Sequence, residues 1–337
     1  MPAAFEAVRD WFYVRRNYLP DLDKAAEAIG SALPPGRMLT GLIDRLAGRH
    51  GIRIAPSPKG DALRHYDPAE RILRLAGHLS PGQQAFQIAT QLALLEHAAT
   101  IERLAGDPDL TSEAQALLRI GLANYFAGAL ILPYGRFLEA AEDLQYDIDL
   151  LARAFGVGFE TTCHRLSTLQ RPEARGVPFF FIRVDRAGNI SKRQSATDFH
   201  FSRMGGSCPL WNVYEAFARP GEILRQVTQM PDGRSYLWIA RMVRQTQGGF
   251  GTAAKTFAIA LGCDLAHAER LVYARGLDLR NPEVATKIGP GCKVCERGGC
   301  PQRAFPMVGR PLSVLEGEAR FAPYSGVLAG TGQGGTT

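Results

Sequence analysis

Three of the six cysteines of this 337-residue chain fall within residues 292–300, in the run Cys292-Lys293-Val294-Cys295-Glu296-Arg297-Gly298-Gly299-Cys300-Pro301. Thiols at C-x2-C-x4-C spacing, flanked by glycines that let the backbone turn tightly, fold around a shared centre, so a knuckle closes the C-terminal stretch. Six cysteines are too few at this length for a disulfide scaffold, and their crowding reads as a ligand set in a reducing compartment. An iron–sulfur cluster suits three thiolates and a following proline; zinc, the competitor, wants a fourth Cys or His. Cys263 is the first candidate for a fourth ligand, with Cys208 and a ligand from outside the chain also open. Cys163 has apolar helical neighbours and reads as core.

Upstream of the knuckle the pattern divides the chain. Residues 5–47 read as helices broken at Pro20 and at Pro34-Pro35-Gly36, and residues 52–76 as a strand and a hairpin turning at Asp67-Pro68-Ala69-Glu70. Ser80, Pro81 and Gln83 form an N-cap, first-turn proline and capping-box glutamine, which start a helix buried along Phe86, Ile88, Ala89, Leu92 and Leu95. A second long helix over 112–132 is apolar on more than one side and belongs at the centre. Composition shifts at Arg171-Pro172-Glu173-Ala174-Arg175-Gly176, after which 179–184, 236–243 and 256–261 read as strands. The fold class is α+β: a mainly helical first half, then a sheet-bearing half without regular βαβ alternation.

Several chemistries are excluded. The seven histidines form no H-E-x-x-H, so a zinc hydrolase lacks its ligands, and no nucleophile elbow is present. Gly249-Phe250-Gly251-Thr252-Ala253-Ala254-Lys255-Thr256 misses a phosphate-binding loop at Ala254 and runs on as a strand. Residues 149–169 have the cadence of a helix-turn-helix, but the second helix offers few outward basic or amide groups to read DNA. The net charge of +6, carried mostly by arginine, is too mild to imply nucleic acid by itself. The basic segment Arg183–Arg203, mixed with hydroxyls and rings, suits a phosphorylated ligand with an aromatic base, or a solvated hairpin face.

Longer stretches resemble a known family. Gly121–Leu130 (GLANYFAGAL), His164–Pro172 (HRLSTLQRP), Phe179–Ser195 (FFFIRVDRAGNISKRQS), Gly206–Val213 (GSCPLWNV) and Gly291–Pro306 resemble the short-chain fatty acyl transcriptional regulators of bacterial propionate and acetate metabolism. The resemblance implies an IrrE/ImmA-like middle domain and a C-terminal acyl-coenzyme A sensor, for some members with an iron–sulfur cluster on the three knuckle cysteines. Two departures accompany it. Where the related peptidases carry F-x-x-A-H-E-x-x-H, Phe86–Leu94 places Thr90, Gln91 and Leu94 at the two histidines and the glutamate, and Ile120 replaces the glutamate expected on the following helix. The chain also starts at the helices that follow the family's N-terminal DNA-binding domain, so DNA binding is expected only where a helix-turn-helix domain comes from a longer form or a partner.

The expected organisation is a helical segment over 1–50, a degenerate metallopeptidase-like domain over 51–170, a sensor over 171–325, for which a GAF-like fold is one form, and a disordered tail over 326–337. The expected function is a cytoplasmic, self-associating, non-enzymatic sensor of short-chain acyl-coenzyme A without a membrane span. Arg183, Lys192, Arg193 and Arg203 are the candidates for its phosphates, and Phe181, Phe199 and Trp211 for its apolar or stacking contacts. Cys292, Cys295, Cys300 and Cys263 are the candidates for a [4Fe–4S] cluster, with zinc as the alternative. A metal-stabilised interaction protein and an enzyme acting on acyl-coenzyme A are the competing functions.

Overall fold

The structure, a computed structural model, describes residues 3–34, 36–57, 62–196, 207–246 and 250–309, together with 317, 319 and 321. Its first half follows the helical periodicity. Helices α1 (Ala4–Val14), α2 (Pro20–Ala32) and α3 (Met38–His50) lead into a small sheet of β1 (Arg53–Pro56), β2 (Arg64–Asp67) and β3 (Ile72–Leu75), with β3 in the middle. The capping box forms as its residues dictate: the Gln83 amide donates to the Ser80 hydroxyl while the Gln83 side chain accepts from the Ser80 amide. It opens α4 (Pro81–Glu96), and α5 (Ala98–Ala105) follows.

Helix α6 (Ser112–Ile131) ends where Pro133 forbids continuation and lies at the centre of the helical half, packed by α1, α2, α4 and α5. By length and composition α6 could cross a bilayer, but most of its apolar window is buried inside the protein. Then come α7 (Tyr134–Asp143), α8 (Ile148–Phe155) and α9 (Phe159–Leu166). The compositional break at 171–176 is a tight hairpin, β4 (Gln170–Arg171) with β5 (Ala174–Arg175), tied back by the Tyr134 hydroxyl, which donates to the Ala174 carbonyl and accepts from the Arg171 amide.

Among the described residues the second half forms one six-stranded sheet. Its strands are β6 (Phe180–Val184), β7 (Ile190–Ser195), β8 (Leu224–Gln229), β9 (Ser235–Gln245), β10 (Lys255–Asp264) and β11 (Thr286–Lys287), in the order β11-β8-β9-β10-β6-β7; a short α10 (Asn212–Glu215) lies beside it. Alternation sorts the side chains onto two faces. Phe181, Leu237, Ile239, Ile259, Leu261 and Cys263 join the helices in one continuous core, whereas Phe180, Ile182, Trp238 and Ala260 build a second core with Cys208, Trp211 and Ile288. Gly262 is required between the layers, because a Cβ there would stand 2.3 Å from the Phe180 ring and 2.7 Å from the Trp238 ring.

Strands β8 and β11 escape the sequence pattern because polar residues sit on their partly exposed faces, while β7 is the second arm of the hairpin that the basic segment allowed. The helix-turn-helix cadence at 149–169 is real as geometry, but α9 is buried against the body: Thr162, Cys163, Arg165 and Leu166 are all inside. Its inner face is spent on packing, and only Phe159, Glu160, Thr161 and His164 are partly exposed, none of them basic at neutral pH except His164 when protonated.

Candidate functional site

The knuckle cysteines meet a fourth thiol. Cys208, Cys292, Cys295 and Cys300 line one recess beneath the sheet, together with Ile288, Gly289, Arg297 and Arg303. Sequence alone favours Cys263, and the structure corrects this. Cys263 pairs with Leu237 on β9 and points into the core shared with the helices, while the knuckle lies on the opposite side of the sheet with Trp238, so strand alternation separates Cys263 from the other thiols. Burial also pushes the Cys263 thiol far up, the behaviour of an inert core cysteine.

The recess is shaped for sulfur. Gly289 has no room for a side chain: a Cβ would lie 2.3 Å from the Cys295 Sγ. Burial raises the Cys208 thiol, while backbone N–H groups of Leu210 and Gly289 donate to its sulfur and favour the thiolate. The Ala304 amide donates to the Cys292 Sγ at 3.5 Å.

Two arginines that sequence reasoning passed over hold the loop. Arg303, buried, donates to the carbonyls of Cys292 (3.0 Å), Cys295 (3.0 Å) and Arg297 (2.6 Å). Arg297 donates to the carbonyls of Ile288 and of Gln229 at the end of β8, sewing the knuckle to the sheet. The available signal was their place, Arg297 within the cysteine run and Arg303 three residues after its last cysteine. Among the described residues no three His, Cys, Asp or Glu side chains converge closely enough to chelate one ion. The four cysteines share one recess.

The degenerate peptidase positions are equally plain. The Thr90 hydroxyl donates to the Phe86 carbonyl of its own helix, Gln91 is buried, and Leu94 and Ile120 are exposed. None of these four groups is a zinc ligand of the kind the scaffold's peptidase relatives use, and no carboxylate at these positions can act as general base.

The basic residues proposed for a ligand are only partly brought together. Arg183 and Lys192 pair across β6 and β7 and lie beside Phe181, with the Lys192 amine 5.8 Å from that ring. Arg183 donates to Glu160 on α9 at 2.9 Å and to the Ser191 hydroxyl at 2.9 Å. Arg193 is engaged by Glu6 of α1 at 2.6 Å. Trp211 packs edge-on against Trp238, 4.4 Å between ring centres, on the opposite face of the sheet from Phe181. Phe181 and Trp211 are both buried, so neither offers a ready stacking surface. Arg203 and Phe199 lie outside the described residues, as does the expected tail over 326–337.

Comparison with known families and proteins matches both halves. Residues 47–167 fit the IrrE N-terminal-like domain, and residues 168–324 fit the C-terminal domain of the short-chain fatty acyl coenzyme A regulators. The chain is 54% identical over 329 residues to the HTH-type transcriptional regulator PrpR of Mycobacterium tuberculosis, covering 96% of this chain and 68% of that protein. It is 54% identical over 326 residues to RamB of the same organism (95% and 69% covered), and 43% identical over 327 residues to the propionyl-CoA carboxylase regulator of Cereibacter sphaeroides (96% and 69% covered). A solved structure titled Mycobacterium tuberculosis transcriptional regulator superposes with a TM-score of 0.93 at 53% identity, covering 96% of this chain and all of that one. With matches to both domain models and more than two thirds of each relative spanned, the chain belongs to the short-chain fatty acyl coenzyme A regulator family.

Proposed function

We propose that this chain is the sensing body of a transcriptional regulator of propionate and related short-chain acyl-coenzyme A metabolism, that it binds a short-chain acyl-coenzyme A, and that it carries an iron–sulfur cluster on Cys208, Cys292, Cys295 and Cys300. The observation that carries the reading is the pairing of a peptidase-like helical body, stripped of its ligands at Thr90, Leu94 and Ile120, with the sheet half that defines the family. Such a body retains a shape and loses a reaction. It acts as a receptor, whose sheet half we read as GAF-like.

The cysteine set offers four thiols around one recess, the ligand number of a [4Fe–4S] cluster. Zinc also takes four thiolates and is the alternative, which iron, sulfide and zinc analysis of the purified protein decides. The backbone donors to Cys208 and Cys292 and the arginine-held loop are what a cluster's sulfurs need around them. When bound, the cluster would supply a redox- and iron-sensitive crosslink between the 207–211 segment and the C-terminal knuckle.

Regulation then follows from differential affinity. An acyl-coenzyme A that binds one arrangement of the body more tightly than another shifts the population, and the same free energy appears in the affinity of whatever the regulator engages. DNA recognition is assigned to a helix-turn-helix domain of a longer form or of a partner, since α9 is buried.

A thermal-shift series with acetyl-, propionyl- and free coenzyme A tests the reading. A ligand at a hundred times its Kd stabilises by about 2.7 kcal/mol, so a clear rise in Tm with the thioesters and no thioester hydrolysis is expected. A rise accompanied by turnover would make the chain an enzyme. No shift with any of the three would leave a metal-stabilised interaction protein.

A further inference from the structure

An open cleft of about 970 Å³ lies between the α8–α9 turn and the end of β9, away from the cysteine recess. Three arginines line it: Arg153 on the last turn of α8, and Arg241 and Arg244 on β9. Two acids line it as well, and both are taken. Asp149 holds Arg241 at 2.6 Å, and Glu160 holds Arg183 at 2.9 Å. Among the described residues the guanidinium groups of Arg153 and Arg244 have no ion-pair or hydrogen-bond partner, which leaves the cleft with two uncompensated positive charges.

The backbone adds to that field. Gly158, the residue before α9, has no side chain to cap it, so the first amides of α9 open onto the same cleft beside the Phe159 ring, over which Arg241 lies at 5.3 Å. The floor is firm: at Gly82 a Cβ would stand 2.3 Å from the Gly156 carbonyl oxygen, so the start of α4 seats flush against the turn. Strand β9 overhangs its neighbour, because β8 stops pairing at Ala240, and from Arg241 to Gln245 the described strand partner is β10 alone. Arg244 stands on this overhang.

Guanidinium pairs free of internal partners, set around an aromatic ring in a recess of nucleotide size, recognise phosphate. We propose that this cleft binds the phosphorylated end of a nucleotide-like ligand, with Arg153 and Arg244 on its phosphate oxygens and the Phe159 side of the cleft against its base. The inference rests on the acyl-coenzyme A reading for the identity of the ligand, the nucleotide end of coenzyme A being the occupant; a free nucleotide presents the same chemistry. It moves the phosphate contacts from Arg193, which α1 already occupies, to arginines that nothing occupies.

Titration calorimetry on the full chain tests it with four probes: propionyl-coenzyme A, free coenzyme A, adenosine 3′,5′-bisphosphate and ATP. The variant is Arg153→Ala/Arg244→Ala, both exposed and unpaired, and the charge-matched control is Arg37→Ala/Arg49→Ala at the two ends of α3, exposed residues that do not line the cleft. Loss of two charge-assisted contacts is expected to raise Kd for propionyl-coenzyme A and for the bisphosphate by about tenfold or more in the cleft variant, and to leave the control unchanged. Tight propionyl-coenzyme A binding that the cleft variant retains would overturn the assignment while the sensor reading stands. Arginine-dependent binding of ATP without any coenzyme A binding would keep the site and remove the acyl-coenzyme A reading. A wild-type chain that binds none of the four would remove both.

Discussion

Asp23 and Arg165 are both buried and meet at 2.7 Å, with the Tyr125 hydroxyl donating to the same carboxylate at 2.8 Å and Thr168 accepting from Arg165. Arg165 lies on the second helix of a stretch with helix-turn-helix cadence. Nothing local reveals that its partner sits 142 residues upstream. Breaking such a pair leaves a buried charge without its counterion, so Asp23→Ala is expected to cost about 3–5 kcal/mol in chemical denaturation; a change under about 1 kcal/mol would mean that water replaces the carboxylate. Lys192 gives a second test. Burial, with Arg183 adding to it and Glu160 opposing, pulls its amine from 10.5 down to about 8. Between those pH values the unfolded chain holds the additional proton, so this group's contribution to stability rises with pH over that window. Lys192→Met should therefore be more stable than the wild type at pH 7 and lose that advantage as pH rises through 8 toward 10. A stability difference independent of pH would contradict the burial of the amine.

At the level of elements, strong periodicity made α4 and α6 legible to within a residue or two, and the capping box named the start of α4 correctly. The edge strand β7 was legible only as one of two readings, the solvated face of a hairpin. Its Lys192, Arg193 and Gln194 look like a solvated basic run, and only pairing with β6 shows that they alternate between α9 on one side and α1 on the other. The knuckle was legible as three thiols. Its fourth was not, because choosing between Cys208 and Cys263 requires knowing which sheet face each residue occupies. That choice is directly testable: Cys208→Ser should lower iron and sulfide content of anaerobically purified protein as much as Cys292→Ser does, whereas Cys263→Ser should leave both unchanged. The reverse pattern would return the fourth position to β10.

Across the whole molecule, the helical body and the sheet share a single core, with Phe181, Ile239 and Leu261 packed among helix side chains. A composition break at 171–176 suggests a linker, yet Arg171 is bound to Glu27 at 2.5 Å and Tyr134 clasps the hairpin on both sides. The two halves should therefore unfold together, with the far-ultraviolet helix signal and the fluorescence of Trp211 and Trp238 lost in coincident transitions. Two separated transitions would show that the halves are independent. The central claim, a hydrolase-like body turned receptor, meets its most direct test in one experiment: propionyl-coenzyme A titrated calorimetrically into the intact chain, with free thiol assayed in the same cell. Saturable binding with the thioester recovered whole is the predicted result, and release of coenzyme A, or the absence of any binding heat across temperatures, would contradict it.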